Sequence, residues 1–281
     1  MIILVAVRKN LTATYLFGGK YMLISITESC HMGCKHCMDD AIPCNKHMDF
    51  NTFKNAIDFF NKYGGIECII TGGEPTDNPD WMKMVQYAVE NVTGSTGDNN
   101  FSHITLTTNA MNIVNDRNAK DFLSFQIRRS NKKISVQVTS VDEYYPVKLD
   151  FSDPFFNETV IATYIESIYP QGRALKNNLK WNSKCSKCFN IRSLVRSSHD
   201  LNLATIALAG KMKFCTPQID YQGYIKLGES CLCPRVSSIY KPIDEIINDI
   251  CNFICRGCDI VNKNLPDSYL EAIGEKRENM R

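Results

Sequence analysis

The sequence predicts an α/β fold: a parallel sheet with helices between its strands, followed by a small cysteine-rich C-terminal domain. Three observations predict it. Short β-rich runs alternate with helix-period runs from Tyr21 to Thr139, the pattern of βαβ units. The residues best suited to chemistry follow the β-rich runs directly, where the carboxyl ends of parallel strands would gather them at one rim. Eight of the thirteen cysteines lie between Cys185 and Cys258, so the chain changes character near residue 175.

The elements follow in order. The opening MIILVAVRKN has a short apolar run with its positive charges after it, the reverse of a secretory signal, and reads as a strand. No run approaches the roughly 18 apolar residues of a membrane span, so the expected location is the cytoplasm. Tyr21 to Thr27 is β-rich. Asp49 precedes a helical pattern with Phe53, Ile57 and Phe60 on one face. Ile66 to Thr71 is a second apolar strand. A helix is expected from Pro79 to about Asn91 with Trp81, Met84, Val85 and Ala88 inward. His103 to Thr108 is a third strand, Asp116 to about Arg129 a helix, and Ile134 to Thr139 a fourth strand. Thr159 to Tyr169 fits a strand by its β-branched residues and a helix by Ile161, Ile165 and Ile168. Residues 1–19 form an N-terminal extension, 20–175 the α/β domain and 176–281 the cysteine-rich domain.

Composition bounds the function. A chain of 281 residues that is 44% hydrophobic and 22% charged has the apolar matter for a core, which excludes wholesale disorder. A net charge of +2 argues against a dedicated duplex nucleic-acid binder. In a reducing compartment thirteen cysteines point to metal or cluster binding rather than disulfides, and the odd count leaves a thiol outside any full pairing.

The segment Cys30-His31-Met32-Gly33-Cys34-Lys35-His36-Cys37 carries the strongest signal. Thiolates are soft ligands that favour iron–sulfur clusters and zinc. A cube-shaped [4Fe–4S] cluster has four corners, so three cysteines leave one iron open for chemistry. Gly33 suits a tight loop around one object. The alternatives are zinc, with His31, His36 or Cys44 as fourth ligand, or three unliganded thiols.

Cys30-x-x-x-Cys34-x-x-Cys37 after a first strand resembles the signature of the radical SAM superfamily. Met38 stands where that family usually has an aromatic residue. Gly72-Gly73-Glu74-Pro75 resembles its GGEP motif, and Thr107-Thr108-Asn109-Ala110 its "TNG" strand end. Val138-Thr139-Ser140-Val141-Asp142 resembles the close of the next strand, and Gly172-Arg173-Ala174 a "GRA" element. The resemblance covers about residues 20 to 175 and implies a partial parallel (β/α) barrel. Only about 30 residues separate Asp142 from Gly172, where family members often have two more βα units, so the barrel is expected to be abridged. The resemblance further implies a [4Fe–4S] cluster on Cys30, Cys34 and Cys37 whose open iron binds the amino and carboxylate groups of S-adenosylmethionine (SAM). Electron transfer to the sulfonium then releases a 5′-deoxyadenosyl radical that takes a hydrogen atom from substrate. Gly72 and Gly73 would let backbone approach the methionine part. Glu74 would accept from its ammonium group and Arg173 would meet its carboxylate. Thr108, Asn109 and Ser140 would take the ribose hydroxyls. An electron donor such as flavodoxin or ferredoxin is implied as partner.

The C-terminal cysteines resemble the auxiliary-cluster extensions called SPASM and twitch domains. Cys215, Cys231, Cys255 and Cys258 fill the shorter twitch pattern around a hairpin turn at Asp220 to Tyr224, and would hold one auxiliary [4Fe–4S] cluster. Cys185, Cys188, Cys233 and Cys251 remain over; with them a second cluster becomes countable, although the spacing departs from the full seven-cysteine motif. Zinc is the structural alternative. Cys68, inside a strand, reads as a core thiol.

The resemblance implies a peptide- or protein-modifying enzyme: a crosslink, an epimerised residue or an oxidised side chain. About 20 residues before the first barrel strand are too few for a fused leader-peptide-binding domain. The second reading is a twitch-type dehydrogenase, or another radical enzyme, acting on a small molecule such as a sugar alcohol or nucleoside. The third is a zinc-stapled binding module. Tyr144, Tyr145 and Trp181 are the aromatics available for stacking. Asp142, Glu143 and His103 are the acid–base candidates near the expected rim.

Overall fold

The computed structural model describes residues 21–63, 67–93, 102–131, 133–139, 144–161, 172–179, 217–228 and 233–252. Within them the expected alternation is present. Strand β1 is Tyr21–Ser25, β2 Glu67–Thr71, β3 His103–Thr108 and β4 Ile134–Val138. Between them run α1 (Phe50–Tyr63), α2 (Trp81–Asn91), the short α3 (Met111–Val114) and α4 (Arg117–Arg129). A two-residue β5 (Val160–Ile161) and a one-turn α5 (Gly172–Lys176) follow. Then come β6 (Pro217–Ile219), β7 (Tyr224–Leu227), β8 (Arg235–Ser238) and α6 (Ile243–Asn252).

Helices α1 and α4 begin where a short polar side chain satisfies the first free N–H groups. Asp49 Oδ1 accepts from the backbone N–H of Asn51 and Thr52 at 2.9 and 3.0 Å, which starts α1. Asp116 Oδ1 accepts from Asn118 N–H at 2.8 Å and starts α4. Helix α2 begins two residues later than expected, at Trp81, because Asn78 Oδ1 accepts from Asp80 N–H at 2.9 Å and holds Asn78 to Asp80 in a turn. The apolar faces then bury Phe53, Ile57 and Phe60 from α1, Met84, Val85 and Ala88 from α2, and Leu123 from α4, all fully.

The strands form a single sheet in the order β5-β4-β3-β2-β1-β6-β7-β8. Pairing is parallel from β5 through β6 and antiparallel across β6, β7 and β8. Among the described residues the sheet is mostly parallel and does not close, as an abridged barrel requires. Side chains alternate across it. Cys68 and Ile70, Ile104 and Leu106, Ile134 and Val136 point into the helix-covered core. Cys68 is a core thiol, and burial pushes its pKa up to about 12. The opposite face carries polar pairs: Thr105 Oγ1 donates to Glu67 Oε1 at 2.6 Å, and His103 Nε2 meets Ser135 Oγ at 2.8 Å. Parallel sheets are usually apolar on both faces. A polar inner face is what a sheet curving around a cavity needs.

The described part of the C-terminal third belongs to the same sheet. Strand β6 lies along the free edge of β1, with Leu23 opposite Gln218 and Ile24 opposite Ile219. The expected hairpin turn is present: Asp220 Oδ1 accepts from Gln222 and Tyr224 N–H at 2.9 and 3.0 Å, and Gly223 takes φ +83°. Tyr240 Oη meets Thr52 Oγ1 at 2.7 Å and ties the region after β8 to α1. Among the described residues, no helix is long and apolar enough to cross a membrane.

Candidate functional site: a three-thiol loop and its cavity

The chain leaves β1 on a long excursion, residues 28–47, that is drawn together at its base. Glu28 N–H donates to Lys46 O at 3.0 Å, Met48 N–H to Ile26 O at 2.8 Å, and Cys30 N–H to Ile42 O at 3.3 Å. The buried Asn78 amide donates to Ile26 O at 2.8 Å and Met48 O at 3.0 Å, clamping both feet of the excursion. Gly33 takes φ +68° with open space where a Cβ would be, so its backbone conformation rather than crowding calls for glycine.

All three cysteines of this loop wall one cavity of about 280 Å³, and Glu74, Thr108, Asn109 and Arg173 wall it too. Cys30 and Cys34 are buried and Cys37 is half-buried. Burial pushes the Cys30 thiol up to about 11. Burial and its two neighbouring thiols push Cys34 up to about 12, against the pull of the Arg173 guanidinium. Two amides face the Cys30 sulfur: Met32 N–H at 3.4 Å and Asn109 Nδ2 at 3.9 Å.

The glycine motif is a packing requirement. A Cβ on Gly72 would lie 2.5 Å from Thr27 O, and one on Gly73 would collide with Ser29 O. The same closeness lets Gly73 N–H donate to Thr27 O at 2.8 Å and Glu74 N–H to Ser29 O at 2.7 Å, locking the β2 loop to the root of the thiol loop.

Glu74 is 2% exposed and its carboxylate is heavily engaged. Oε1 accepts from Thr76 Oγ1 and Thr108 Oγ1 at 2.6 Å and from Thr76 N–H at 3.1 Å. Oε2 accepts from Asn109 N–H at 2.7 Å. Burial pushes its pKa up while these hydrogen bonds hold it down. Glu74 therefore buckles the ends of β2 and β3 together, and Oε2, with one donor against three on Oε1, keeps the spare acceptor capacity. Beside it, Ala110 takes φ +63°, a left-handed conformation that disfavours a side chain.

The Gly172-Arg173 pair packs on the far end of the thiol loop. A Cβ on Gly172 would meet Cys37 O and Met38 O, and its φ is +54°. Arg173 N–H donates to Cys37 O at 2.8 Å, and its guanidinium donates to Ala41 O at 2.7 Å and sits 3.6 Å from Asp40. Tyr144 and Tyr145 lie against the His36 ring at centroid distances of 5.6 and 5.0 Å, so the stacking aromatics serve the thiol loop itself.

The structure thus brings together Cys30, Cys34, Cys37, Gly73, Glu74, Thr108, Asn109 and Arg173. Gly72 faces a second cavity on the other side of the loop, and Cys44 lines that one as well. His31 points outward and pairs with Asp77 Oδ2 at 2.6 Å. Of the zinc-ligand candidates only His36 shares the thiol cavity. Thr71 and Thr107, the last inward positions of β2 and β3, and Thr139, one residue past β4, also line the cavity. Their signal in the sequence was the period of two counted to the strand end. Ser140, Asp142, Glu143, Trp181, Cys185, Cys188, Cys215, Cys231, Cys255 and Cys258 lie outside the described residues, as does the extension 1–19. Cys233 is half-buried, its sulfur directly over Gly228.

The donor set fits an iron–sulfur cluster. Three thiols share the wall of one cavity, a soft donor set of the kind that binds such clusters.

Among curated proteins, the chain is 32% identical over 100 residues to a GTP 3′,8-cyclase of Actinobacillus succinogenes, covering 34% of this chain and 28% of that protein. It is 38% identical over 76 residues to an uncharacterised protein of Methanocaldococcus jannaschii, covering 26% of each. The aligned parts thus span little more than a quarter of these relatives. Among solved structures, BtrN in complex with AdoMet and 2-DOIA superposes with a TM-score of 0.49 at 12% identity, covering 93% of this chain and 89% of BtrN. Streptococcus suis SuiB bound to the precursor peptide SuiA superposes with a TM-score of 0.46 at 14% identity, covering 87% and 73%. Residues 24–160, which hold the thiol loop, the Gly72-Gly73-Glu74 turn and the Thr108-Asn109 strand end, match the Radical SAM superfamily: the chain carries a radical SAM domain.

Proposed function

We propose that this chain is a radical SAM enzyme that uses the three-thiol cavity to cleave SAM reductively, and that its substrate is a peptide or protein. The observation that carries the reading is the meeting of three thiols, Glu74, Asn109 and Arg173 on one cavity. Cys30, Cys34 and Cys37 would hold a [4Fe–4S] cluster. Bound there with SAM, such a cluster would supply a 5′-deoxyadenosyl radical, a species able to take hydrogen from an unactivated carbon. The protein's part is placement. The Asn78 clamp and the Arg173 contact fix both ends of the thiol loop, the close packing of Gly72 and Gly73 keeps side chains out of its root, and Glu74 holds the strand ends together. Glu74 Oε2 is the acceptor for an ammonium group. Asn109 and Thr108 are the candidates for ribose, and Ser140 joins them by its place in sequence. Arg173 carries the positive charge that favours thiolate at Cys34 and a carboxylate in the cavity.

Cys215, Cys231, Cys255 and Cys258 are proposed to hold an auxiliary cluster of the SPASM or twitch kind, with an electron donor such as flavodoxin or ferredoxin as partner. Modification of a peptide side chain follows from that resemblance. The second reading, a small-molecule substrate, is favoured by the match to a GTP 3′,8-cyclase over 100 residues.

The test is anaerobic. The reconstituted protein is given SAM and dithionite, and 5′-deoxyadenosine is measured against Cys34→Ala. Product from the parent protein and none from the variant supports the reading. A colourless protein carrying zinc, with no product, sinks it.

A further inference from the structure

Asp77 closes the short turn Pro75–Asp77 that follows the Gly72-Gly73-Glu74 motif, and its side chain is 5% exposed. An aspartate in a turn usually accepts from nearby backbone N–H groups. This one accepts from three side chains of other segments. Its Oδ2 takes the Ser29 hydroxyl at 3.2 Å and His31 Nδ1 at 2.6 Å, and its Oδ1 takes Asn112 Nδ2 at 2.9 Å. Ser29 and His31 are the two neighbours of Cys30 in sequence. Asn112 belongs to α3, which begins just beyond Asn109.

The carboxylate is also a junction. Asn112 Nδ2 donates a second time, to Thr76 Oγ1 at 3.1 Å, and Thr76 Oγ1 donates to Glu74 Oε1 at 2.6 Å. Ser29 Oγ accepts from Cys44 N–H at 3.3 Å, on the return limb of the excursion. An unbroken run of hydrogen bonds therefore joins both flanks of Cys30 to Glu74, and through Glu74 to Thr108 and Asn109. Asp77 itself stands outside the thiol cavity. It lines a surface hollow with Ser29 and His31, whereas Cys30, Glu74 and Asn109 wall the cavity. Its influence there passes through the residues it holds. Burying a carboxylate is costly, and three donors offset that cost only while all three segments stay in register.

We propose that Asp77 is a positioning residue for Cys30: by gripping Ser29 and His31 it fixes where the first thiol stands relative to Glu74 and Asn109. The purpose of that grip rests on the enzymatic reading above, in which the thiols would hold a cluster and Glu74 and Asn109 would meet SAM. The grip itself belongs to the chain without cofactor. The other two thiols are anchored differently, by Lys35 N–H donating to Tyr144 O at 3.1 Å and Arg173 N–H donating to Cys37 O at 2.8 Å. Cys30 is thus held from the Glu74 side of the loop and Cys37 from the Arg173 side. Groups that orient the ligands of a metal site typically contribute about 10- to 100-fold in affinity or activity.

The test reads each thiol separately. The reduced full chain, before reconstitution, is treated with iodoacetamide, and the labelling rate at each cysteine is followed by mass spectrometry. Asp77→Ala should speed labelling of Cys30 roughly tenfold, as local opening loses about one net hydrogen bond of protection. Cys68, a fully buried core thiol, should keep the parent rate. A merely structural role would speed both. Charge needs its own control, because burial first, and then nearby charges that include Asp77, disfavour thiolate at Cys30. Asp77→Asn removes the charge and keeps the shape, and the His31 ring proton can move to suit it, so this variant should label closer to the parent than to Asp77→Ala. His31→Ala removes one arm at an exposed position and should fall between parent and Asp77→Ala. The proposal is overturned if Asp77→Ala leaves Cys30 at the parent rate, speeds Cys30 and Cys68 together, or is matched by Asp77→Asn. If Asp77→Ala does not fold, His31→Ala decides, and Cys30 labelling at the parent rate overturns the proposal. After reconstitution, Asp77→Ala should lose iron to a chelator about tenfold faster than the parent. The two failures separate: a parent that binds no iron sinks the radical reading while the labelling still reports on the grip, and iron loss at the parent rate from Asp77→Ala sinks the positioning role alone.

Discussion

A Cβ placed on Gly172 would lie 2.5 Å from the carbonyl oxygen of Cys37, and Gly172 itself holds φ at +54°. Space and backbone conformation both exclude a side chain there. Gly172→Ala should push the last thiol away from the other two. The expected result is a folded protein that loses most of its bound iron after reconstitution, read by iron analysis beside a circular-dichroism spectrum. Normal iron loading would show that the contact does not position Cys37.

Glu74→Gln tests the buckle between β2 and β3. The carboxylate accepts four hydrogen bonds, and an amide of the same shape must turn its NH2 toward at least one donor. A clash of donors in a buried site should cost about 1–3 kcal/mol. Urea unfolding of the two proteins without cofactor measures it, free of any effect on SAM.

Asp49→Ala tests the cap of α1, and its effect depends on pH. Hydrogen bonds from Thr52 hold the Asp49 carboxyl below its ordinary value of 3.8. A depressed folded pKa gives stability that is present above the unfolded value and lost as pH falls through the folded one. Replacement should cost about 1 kcal/mol at neutral pH. The difference between the two proteins should shrink as pH drops below about 3.8. Thermal melts across that range check it; a pH-independent difference would assign the loss to something other than the ionised cap.

Asn109→Asp bears on the proposed cluster. Asn109 Nδ2 lies 3.9 Å from the Cys30 sulfur, and hydrogen bonds to ligating sulfurs help set a cluster's potential. Aspartate keeps the oxygen that accepts from Met111 N–H at 2.9 Å but removes the donor and adds negative charge. The reduction potential should fall, as followed by redox titration with electron paramagnetic resonance. An unchanged potential would place the amide too far from the sulfur to matter.

Much of the first half of this fold is legible in the sequence, because each signal is local. Asp49 and Asp116 announce helices, and Phe53, Ile57 and Phe60 recur at helical spacing. Gly72-Gly73-Glu74 ends a strand of β-rich residues. The turn from Asp220 to Gly223 is legible for the same reason: one aspartate accepts two of its N–H groups and a glycine supplies the positive φ. What the sequence hides is distance. Strand β6 has three residues, begins with a proline that cannot donate, and is a strand only because β1 offers an edge. Glu74 shows the same limit within the site. Its motif marks it as an acceptor near the cofactor, but the folded chain alone reveals that Thr76, Thr108 and Asn109 already occupy most of its lone pairs.

The central place of β1 also has a kinetic side. Pairing β1 with β2 closes the chain between Ser25 and Thr71, whereas pairing it with β6 must bring Leu23 to Gln218. Longer closures cost more entropy and come later. During synthesis every described wall of the thiol cavity, through Arg173, has emerged before Gln218 exists. The nascent chain can therefore organise its thiols while the adjoining pocket still lacks its second side. Assembly of the thiol cavity and completion of the cavity beside it become two successive events in the life of the polypeptide.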